Sequence, residues 1–280
     1  MDLLKQTQEL CGLYDLKPSR SKGQNFLVSS GVYDKIIKEA ELTSQDKVLE
    51  VGPGLGFLTS RLASRVKKVV SVELDDDLAG VLRLGLDTHD IKNVEIVNEN
   101  ILDLDLSGSG LGKSYKIVAN LPYNISSVFL RKVLEAEDKP DLMVLLLQKE
   151  VVERIVARPP QMSLLAVSVQ YYSYPVLVDK AGPADFWPRP RVESAIVKLK
   201  IKDEFPLEPE QEKDFFRLVK FGFSSKRKML KNNLAAAFRL SPEVMFEALN
   251  HLNFNPRIRA QDLTLKEWLK LFECLRDYMV

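Results

Sequence analysis

Up to residue 201 the chain alternates between two rhythms of apolar residues. Short, nearly continuous apolar runs fall at 48–51, 68–74, 94–97, 116–119, 142–147, 174–178 and 195–201. Their length and β-branched content predict buried strands, and the last run shows clear alternation. Between them, at 3–13, 32–40, 57–66, 75–86, 125–134, 148–157 and 163–172, apolar residues return every three or four places, the period of a helix. Strands alternating with helices predict an α/β fold, a doubly wound, Rossmann-like domain on a seven-stranded, mostly parallel sheet. The helices at 148–157 and 163–172 are expected to cover that sheet.

The rhythm changes at Phe205-Pro-Leu-Glu-Pro209. Beyond this linker only the helical period remains, at 210–221 and 226–238 and in two further helices. Ser241-Pro-Glu opens one of these with a serine cap and an early proline, and Thr264-Leu-Lys-Glu267 opens the other as a capping box. The expected division is a domain over 1–204 and a small all-helical domain over 205–280.

Composition adds limits more than direction. The net charge of +1 gives no whole-molecule attraction for an acidic partner, so local clusters carry any such signal. Cys11 and Cys274 lack the spacing of a metal site or a disulfide framework, which predicts a reduced, cytoplasmic protein without a metal. No apolar run reaches the roughly 18 residues of a membrane span, and no secretory signal pattern opens the chain.

One charge cluster does stand out. Residues 215–242 contain Arg217, Lys220, Lys226, Arg227, Lys228, Lys231 and Arg239 and no acid. Solvated helix faces normally mix signs, so a one-sided basic segment points to phosphate binding. Lys17, Arg20 and Lys22 form a smaller basic loop near the N-terminus.

Two stretches carry chemistry. In Lys47-Val-Leu-Glu-Val-Gly-Pro-Gly-Leu-Gly-Phe-Leu-Thr59 a buried strand runs into a glycine turn and then a helix, the crevice that open α/β sheets use for nucleotide-like ligands. Phe57 replaces the third glycine of the dinucleotide fingerprint, which disfavours NAD. Gly52, Gly54 and Gly56 suit S-adenosylmethionine (SAM) better. Glu73 ends the next strand 21 residues after Gly52, a spacing for a carboxylate that accepts from ribose hydroxyls. Asp75, Asp76 and Asp77 read as helix-start residues. Residues 107–114 resemble half a phosphate-binding loop without its spacing.

The second stretch is Asn120-Leu-Pro-Tyr123, at the end of the fourth strand. An adenine amino group is a poor nucleophile because its lone pair is delocalised into the ring. The Asn120 side-chain oxygen and the Leu121 carbonyl offer two acceptors for its two hydrogens, favouring a pyramidal nitrogen. Pro122 fixes its own φ and biases Leu121 to an extended form. Tyr123 offers a flat face for a flipped-out base. The alternative, a proline turn with a core tyrosine, needs no ligand. Phe186-Trp-Pro-Arg-Pro-Arg191 reads either as an exposed base platform or as a packed corner.

Taken in order, Gln24-Asn25-Phe26-Leu27, Leu49-Glu-Val-Gly-Pro-Gly-Leu-Gly56, Val72-Glu73, Asn120-Leu-Pro-Tyr-Asn124, Leu147-Gln-Lys-Glu-Val-Val-Glu-Arg154, Phe186-Trp-Pro-Arg-Pro-Arg-Val-Glu-Ser194 and Lys226-Arg-Lys-Met-Leu-Lys-Asn232 resemble the motifs of the ribosomal RNA adenine dimethyltransferases. The resemblance covers nearly the whole chain. It implies an antiparallel last strand and transfer of methyl groups from SAM to two neighbouring adenosines near the 3′ end of small-subunit ribosomal RNA. It implies an immature small subunit as partner, and the expected state is a monomer.

It also implies roles for residues. Gln24, Asn25, Leu27, Gly52, Gly54, Glu73, Leu74, Asn100 and Asn120 would hold SAM. Asn120, Leu121, Pro122 and Tyr123 would present the target adenine, and Phe186 would stack on its other face. Lys22, Arg217, Lys220, Lys226, Arg227, Lys228 and Lys231 would grip RNA. Asn100 stands where the family usually has aspartate, so its hydrogen bond to the cofactor adenine should be about 1 kcal/mol weaker; Asp103 is a substitute at the wrong offset. Arg158-Pro-Pro-Gln-Met-Ser163 lacks the Tyr-Gly pair common in the family. A large-subunit rRNA methyltransferase of the antibiotic-resistance type shares the first four motifs, and the 226–232 stretch favours the small-subunit type. A ribosome-assembly factor that kept the fold and lost the chemistry is the other alternative, against which the intact Asn120–Tyr123 motif argues.

Overall fold

The structure, a computed structural model, describes residues 2–19, 23–106 and 110–279. Its strands are β1 (Phe26–Leu27), β2 (Lys47–Val51), β3 (Lys68–Val72), β4 (Val94–Val97), β5 (Lys116–Asn120), β6 (Leu142–Gln148), β7 (Ser173–Ala181), β8 (Phe186–Trp187) and β9 (Ser194–Ile201). The helices are α1 (Leu3–Leu13), α2 (Ser30–Glu39), α3 (Phe57–Ala63), α4 (Asp76–Thr88), α5 (Ser126–Glu135), α6 (Lys149–Ile155), α7 (Leu164–Tyr172), α8 (Pro209–Gly222), α9 (Leu230–Phe238), α10 (Pro242–His251) and α11 (Leu265–Leu275).

All seven expected strands enter one sheet, in the order β4-β3-β2-β5-β6-β9-β7. Every pair from β4 to β6 is parallel, and β9 runs antiparallel to β6. β6 is buried on both faces from Leu142 to Leu147, which explains its unbroken apolar run. Strand order reverses between β2 and β5, and at such a switch point the loops beyond the strand ends diverge and leave a crevice.

β1 and β8 form a separate two-stranded antiparallel ribbon, Phe26 opposite Trp187 and Leu27 opposite Phe186. Two-residue strands are too short to leave a period in the sequence.

The chain divides into two compact units. One comprises residues 1–152 and 174–201, the other 153–173 and 202–280. This corrects the expected division at 204, because 153–173 belongs with the C-terminal helices. Tyr171 and Tyr172 explain it: both phenols donate to the carboxylate of Glu212, at 3.1 and 3.0 Å, and their rings pack with Phe205, Phe215 and Phe216. A helix of helical period carries no mark of which layer it will cover. Within the second unit Trp268, Leu271, Phe272 and Leu275 of α11 bury with Phe215, Leu218 and Val219 of α8. The Ser241 cap and the Thr264–Glu267 capping box form as expected. α9 begins at Leu230, however, so Lys226, Arg227 and Lys228 lie in the turn that precedes it rather than on a helix.

No helix among the described residues is long and apolar enough to cross a membrane, and among those residues no cluster of His, Cys, Asp and Glu is arranged for a metal.

Candidate active site

Three separate stretches meet at the switch point. The turn after β2 places Gly52 and Gly54 at φ +66° and +55°, the left-handed region where a side chain is strained. Space is also short there: a Cβ on Gly52 would come within 3.3 Å of the Pro122 ring, and one on Gly54 within 3.2 Å of the Phe26 ring. The glycine turn is thus packed against the 120–124 stretch on one side and the 23–27 strap on the other. Asn120 Nδ2 donates to the Asn25 carbonyl at 3.4 Å, and Gln24 Nε2 donates to Asp75 at 3.1 Å, tying the strap to both β5 and the start of α4.

Together they enclose a cavity of ≈ 270 Å³. Gln24, Asn25, Leu27, Gly52, Gly54, Glu73, Leu74, Asn100, Asn120, Leu121, Pro122 and Tyr123 all line it, so every expected cofactor residue and four of the five expected catalytic residues converge. Its wall also carries Glu50, Asp75 and Glu99 beside Glu73, and among the described residues no Lys, Arg or His. Such a lining favours a cationic ligand and opposes a pyrophosphate, which counts against a dinucleotide.

Glu73 Oε2 accepts from the Gly54 N–H at 3.1 Å and Oε1 from the Asp75 N–H at 3.0 Å. Burial pushes its pKa up, and these backbone donors oppose the rise. Leu74, 64 % exposed beside it, presents an apolar surface of the kind a purine ring covers. Asp75 caps α4 by accepting from the Leu78 N–H, as expected of a helix-start residue.

Glu50 is the residue that sequence reasoning missed. It is 1 % exposed next to the C-terminal end of β2, and Oε2 accepts from the Ser71 hydroxyl at 2.8 Å. Oε1 and the Thr59 hydroxyl are buried without a hydrogen-bond partner among the described residues. Burial pushes the Glu50 pKa up to about 7, opposed by the hydrogen bond from Ser71 and reinforced by the Glu73 charge. An acid inside an apolar strand run was the signal.

Asn100 lines the cavity with its amide already engaged: Nδ2 donates to Asp103 at 2.7 Å, and Oδ1 accepts from the Leu102 N–H at 3.0 Å. Asp103 is therefore a partner of Asn100 and is absent from the cavity wall.

Phe186 needs correction. It is 2 % exposed, lies in the hydrophobic core beside Leu27 and does not line the cavity, so the packed-corner alternative holds for it. Pairing of β8 with β1 turns its ring inward, while Trp187 stays half-buried.

The basic residues sort into three groups. Lys220, Lys226, Arg227 and Lys228 are exposed and Lys231 is half-buried. Arg217 is engaged inside its own unit, donating to the Met279 carbonyl, facing Asp214 at 3.6 Å and stacking over the Phe238 ring, which removes it from a free basic face. Lys22 and Arg20 lie outside the described residues.

The switch-point cavity, its glycine turn and its acidic lining define a class: a Rossmann-like, SAM-dependent methyltransferase. The model of the ribosomal RNA adenine dimethylase family matches residues 16–277, and the chain belongs to that family. It is 42% identical over 270 residues to a ribosomal RNA small subunit methyltransferase A from Dehalococcoides mccartyi, covering 96% of this chain and 92% of that one. Among solved structures it is similar to a dimethyladenosine transferase from Plasmodium falciparum, with TM-score 0.78, 26% identity, and 90% and 98% of the two chains covered. It is also similar to the 23S rRNA methyltransferase ErmE, with TM-score 0.74, 29% identity, and 90% and 100% covered.

Proposed function

We propose that this protein transfers methyl groups from SAM to the 6-amino groups of two adjacent adenosines near the 3′ end of small-subunit ribosomal RNA, giving dimethyladenosines. The observation that carries this reading is the convergence of Asn120–Tyr123 on the rim of an acid-lined, glycine-floored cavity.

The residues fit the cofactor. All of them line the cavity: Glu73 would accept from ribose hydroxyls, Leu74 would pack on the adenine ring, Gly52 and Gly54 would allow close backbone approach, and the acidic wall would face the cationic end. SAM, when bound, supplies an electrophilic methyl on a positively charged sulfur. The Asn120 amide donates to Asn25, which leaves Oδ1 to accept from the target amino group. With the Leu121 carbonyl as second acceptor, both hydrogens are held and the nitrogen lone pair is released for attack. No strong base is required before attack, since the nitrogen becomes acidic only after it is methylated. Tyr123 supplies the stacking face for a base taken out of its helix. The exposed Lys220, Lys226, Arg227 and Lys228, with Lys231, serve phosphate contacts.

Small-subunit RNA is favoured over large-subunit RNA because the D. mccartyi relative is a small-subunit enzyme at 42% identity, against 29% for ErmE. The remaining parts of the reading are an immature small ribosomal subunit as substrate, a monomeric enzyme, a cytoplasmic location, a role in ribosome maturation, and RNA binding by the C-terminal helices.

Asn120→Ala tests it. Methyl incorporation into immature small subunits, mapped to adenines by mass spectrometry, should fall at least about 100-fold, the scale for loss of a transition-state hydrogen bond, with thermal stability retained. Normal turnover by Asn120→Ala would refute the assignment.

A further inference from the structure

Tyr123 is held from a direction that the 120–124 motif does not supply. Its phenol oxygen lies 2.6 Å from the Ser194 hydroxyl, across 71 residues of sequence. Ser194 is fully buried and is the first residue of β9. Its backbone sits opposite Gln148 at the end of the β6–β9 pair, and the next link is clamped as well: the Lys149 N–H donates to the Glu193 carbonyl at 2.9 Å, and Lys149 Nζ meets the Glu193 carboxylate at 2.5 Å. On the other side, the Ser126 hydroxyl donates to the Pro122 and Tyr123 carbonyls at 3.3 and 3.2 Å. The tyrosine backbone is thus fixed by α5 and its ring tip by β9.

A tyrosine ring held only at its Cβ can turn about χ1 and χ2. A second anchor at the phenol oxygen fixes the plane of the ring. That matters when the face of the ring must lie parallel to a base whose amino group has to reach the cavity rim. A misplacement of about 1 Å at a reacting group can cost on the order of 100-fold.

We propose that Ser194 is a positioning residue for the methyl transfer: its hydroxyl holds the Tyr123 ring in the plane on which the target adenine stacks. This rests on the proposed function, since it requires an adenine at Tyr123. It also gives the proline-rich stretch that ends at Ser194 a role other than base platform. Phe186 at its start secures the strap through β1, and Ser194 at its end secures the stacking ring.

The test uses the full-length enzyme, immature small subunits, and a target-loop RNA oligonucleotide with 2-aminopurine at the methylated position. Ser194→Ala should lower kcat about tenfold, leave the KM for SAM and the melting temperature unchanged, and reduce the fluorescence change that reports stacking of the extruded base. Tyr123→Phe removes the same hydrogen bond from the other partner and should give the same loss. The double variant should be no worse than either single one, and Ser194→Thr should restore turnover. Wild-type kcat in both single variants, or losses that multiply in the double variant, would overturn the proposal. So would a loss of kcat tracked by an equal loss of folded protein. A wild-type enzyme that transfers no methyl to adenine would sink the proposed function and this inference with it, whereas an active wild type with unchanged variants sinks the inference alone.

Discussion

Glu50 holds a carboxyl group where the fold would otherwise place an aliphatic side chain, and its titration connects stability to ligand binding. Its folded pKa, raised to about 7 by burial, exceeds the ordinary value of 4.5. The folded state therefore binds the proton more tightly than the unfolded chain does. The associated stability is fully present below pH 4.5 and is lost as pH rises through about 7. At about 1.4 kcal/mol per unit the span is on the order of 3 kcal/mol. Glu50→Gln should match the wild type in denaturant titrations near pH 4.5 and exceed it by a few kcal/mol at pH 8. Binding of cationic SAM favours the ionised carboxylates, so calorimetric affinity in the wild type should rise from pH 6 to pH 8. Glu50→Gln should flatten this rise. Asn100 shows a related economy at the same scale. An aspartate there would face Asp103 at the 2.7 Å now spanned by an amide hydrogen bond, so the amide avoids a like-charge contact.

At the level of elements, the site depends on how tightly the turn after β2 fits against Pro122. Gly52→Ala would put a Cβ 3.3 Å from the proline ring at a φ of +66°. The left-handed backbone alone costs about 1–2 kcal/mol, and displacement of Pro122 would move Asn120 and Tyr123 with it. SAM affinity should fall at least tenfold by calorimetry. Gly112→Ala is the matched control. Its φ is +72° and the nearest atom, Lys47 Nζ, is 3.5 Å away, outside the cavity wall. It should lose comparable melting temperature and keep SAM affinity. A Gly52→Ala enzyme that lost only as much affinity as Gly112→Ala would show that the packing on Pro122 has no bearing on the site. Strand runs and helix caps were readable in the sequence because each reports on its own few residues. The β1–β8 ribbon was not, since its paired residues are 161 and 159 positions apart and neither strand has a pattern of its own. Phe186 went the same way. A proline-flanked aromatic reads identically exposed or packed, and pairing with β1 decided the matter.

For the molecule as a whole, the question is what a nearly neutral chain does with its charge. Among the described residues, acids gather on the cavity wall and exposed basic residues around 220–228, in separate places in the sequence and in separate units. Replacing Lys226, Arg227 and Lys228 together by Ala should raise the KM for RNA and reduce the salt dependence of RNA binding by about two to three units of slope, at about 0.7–0.9 per phosphate contact. SAM affinity should not change. An unaltered salt slope would remove these residues from the RNA interface. Arg217→Ala belongs to a different category, since its guanidinium is spent on Met279, Asp214 and Phe238.

The sequence by itself determined the alternation of strands and helices, the helix caps, the glycine turn and the order of the motifs, because each is written in residues adjacent along the chain. The tertiary structure alone decided which layer 153–173 joins, which way Phe186 faces, how Asn100 spends its amide, and that Ser194 reaches Tyr123. Each of these is a contact between distant segments, and side-chain direction and burial exist only once the segments have packed.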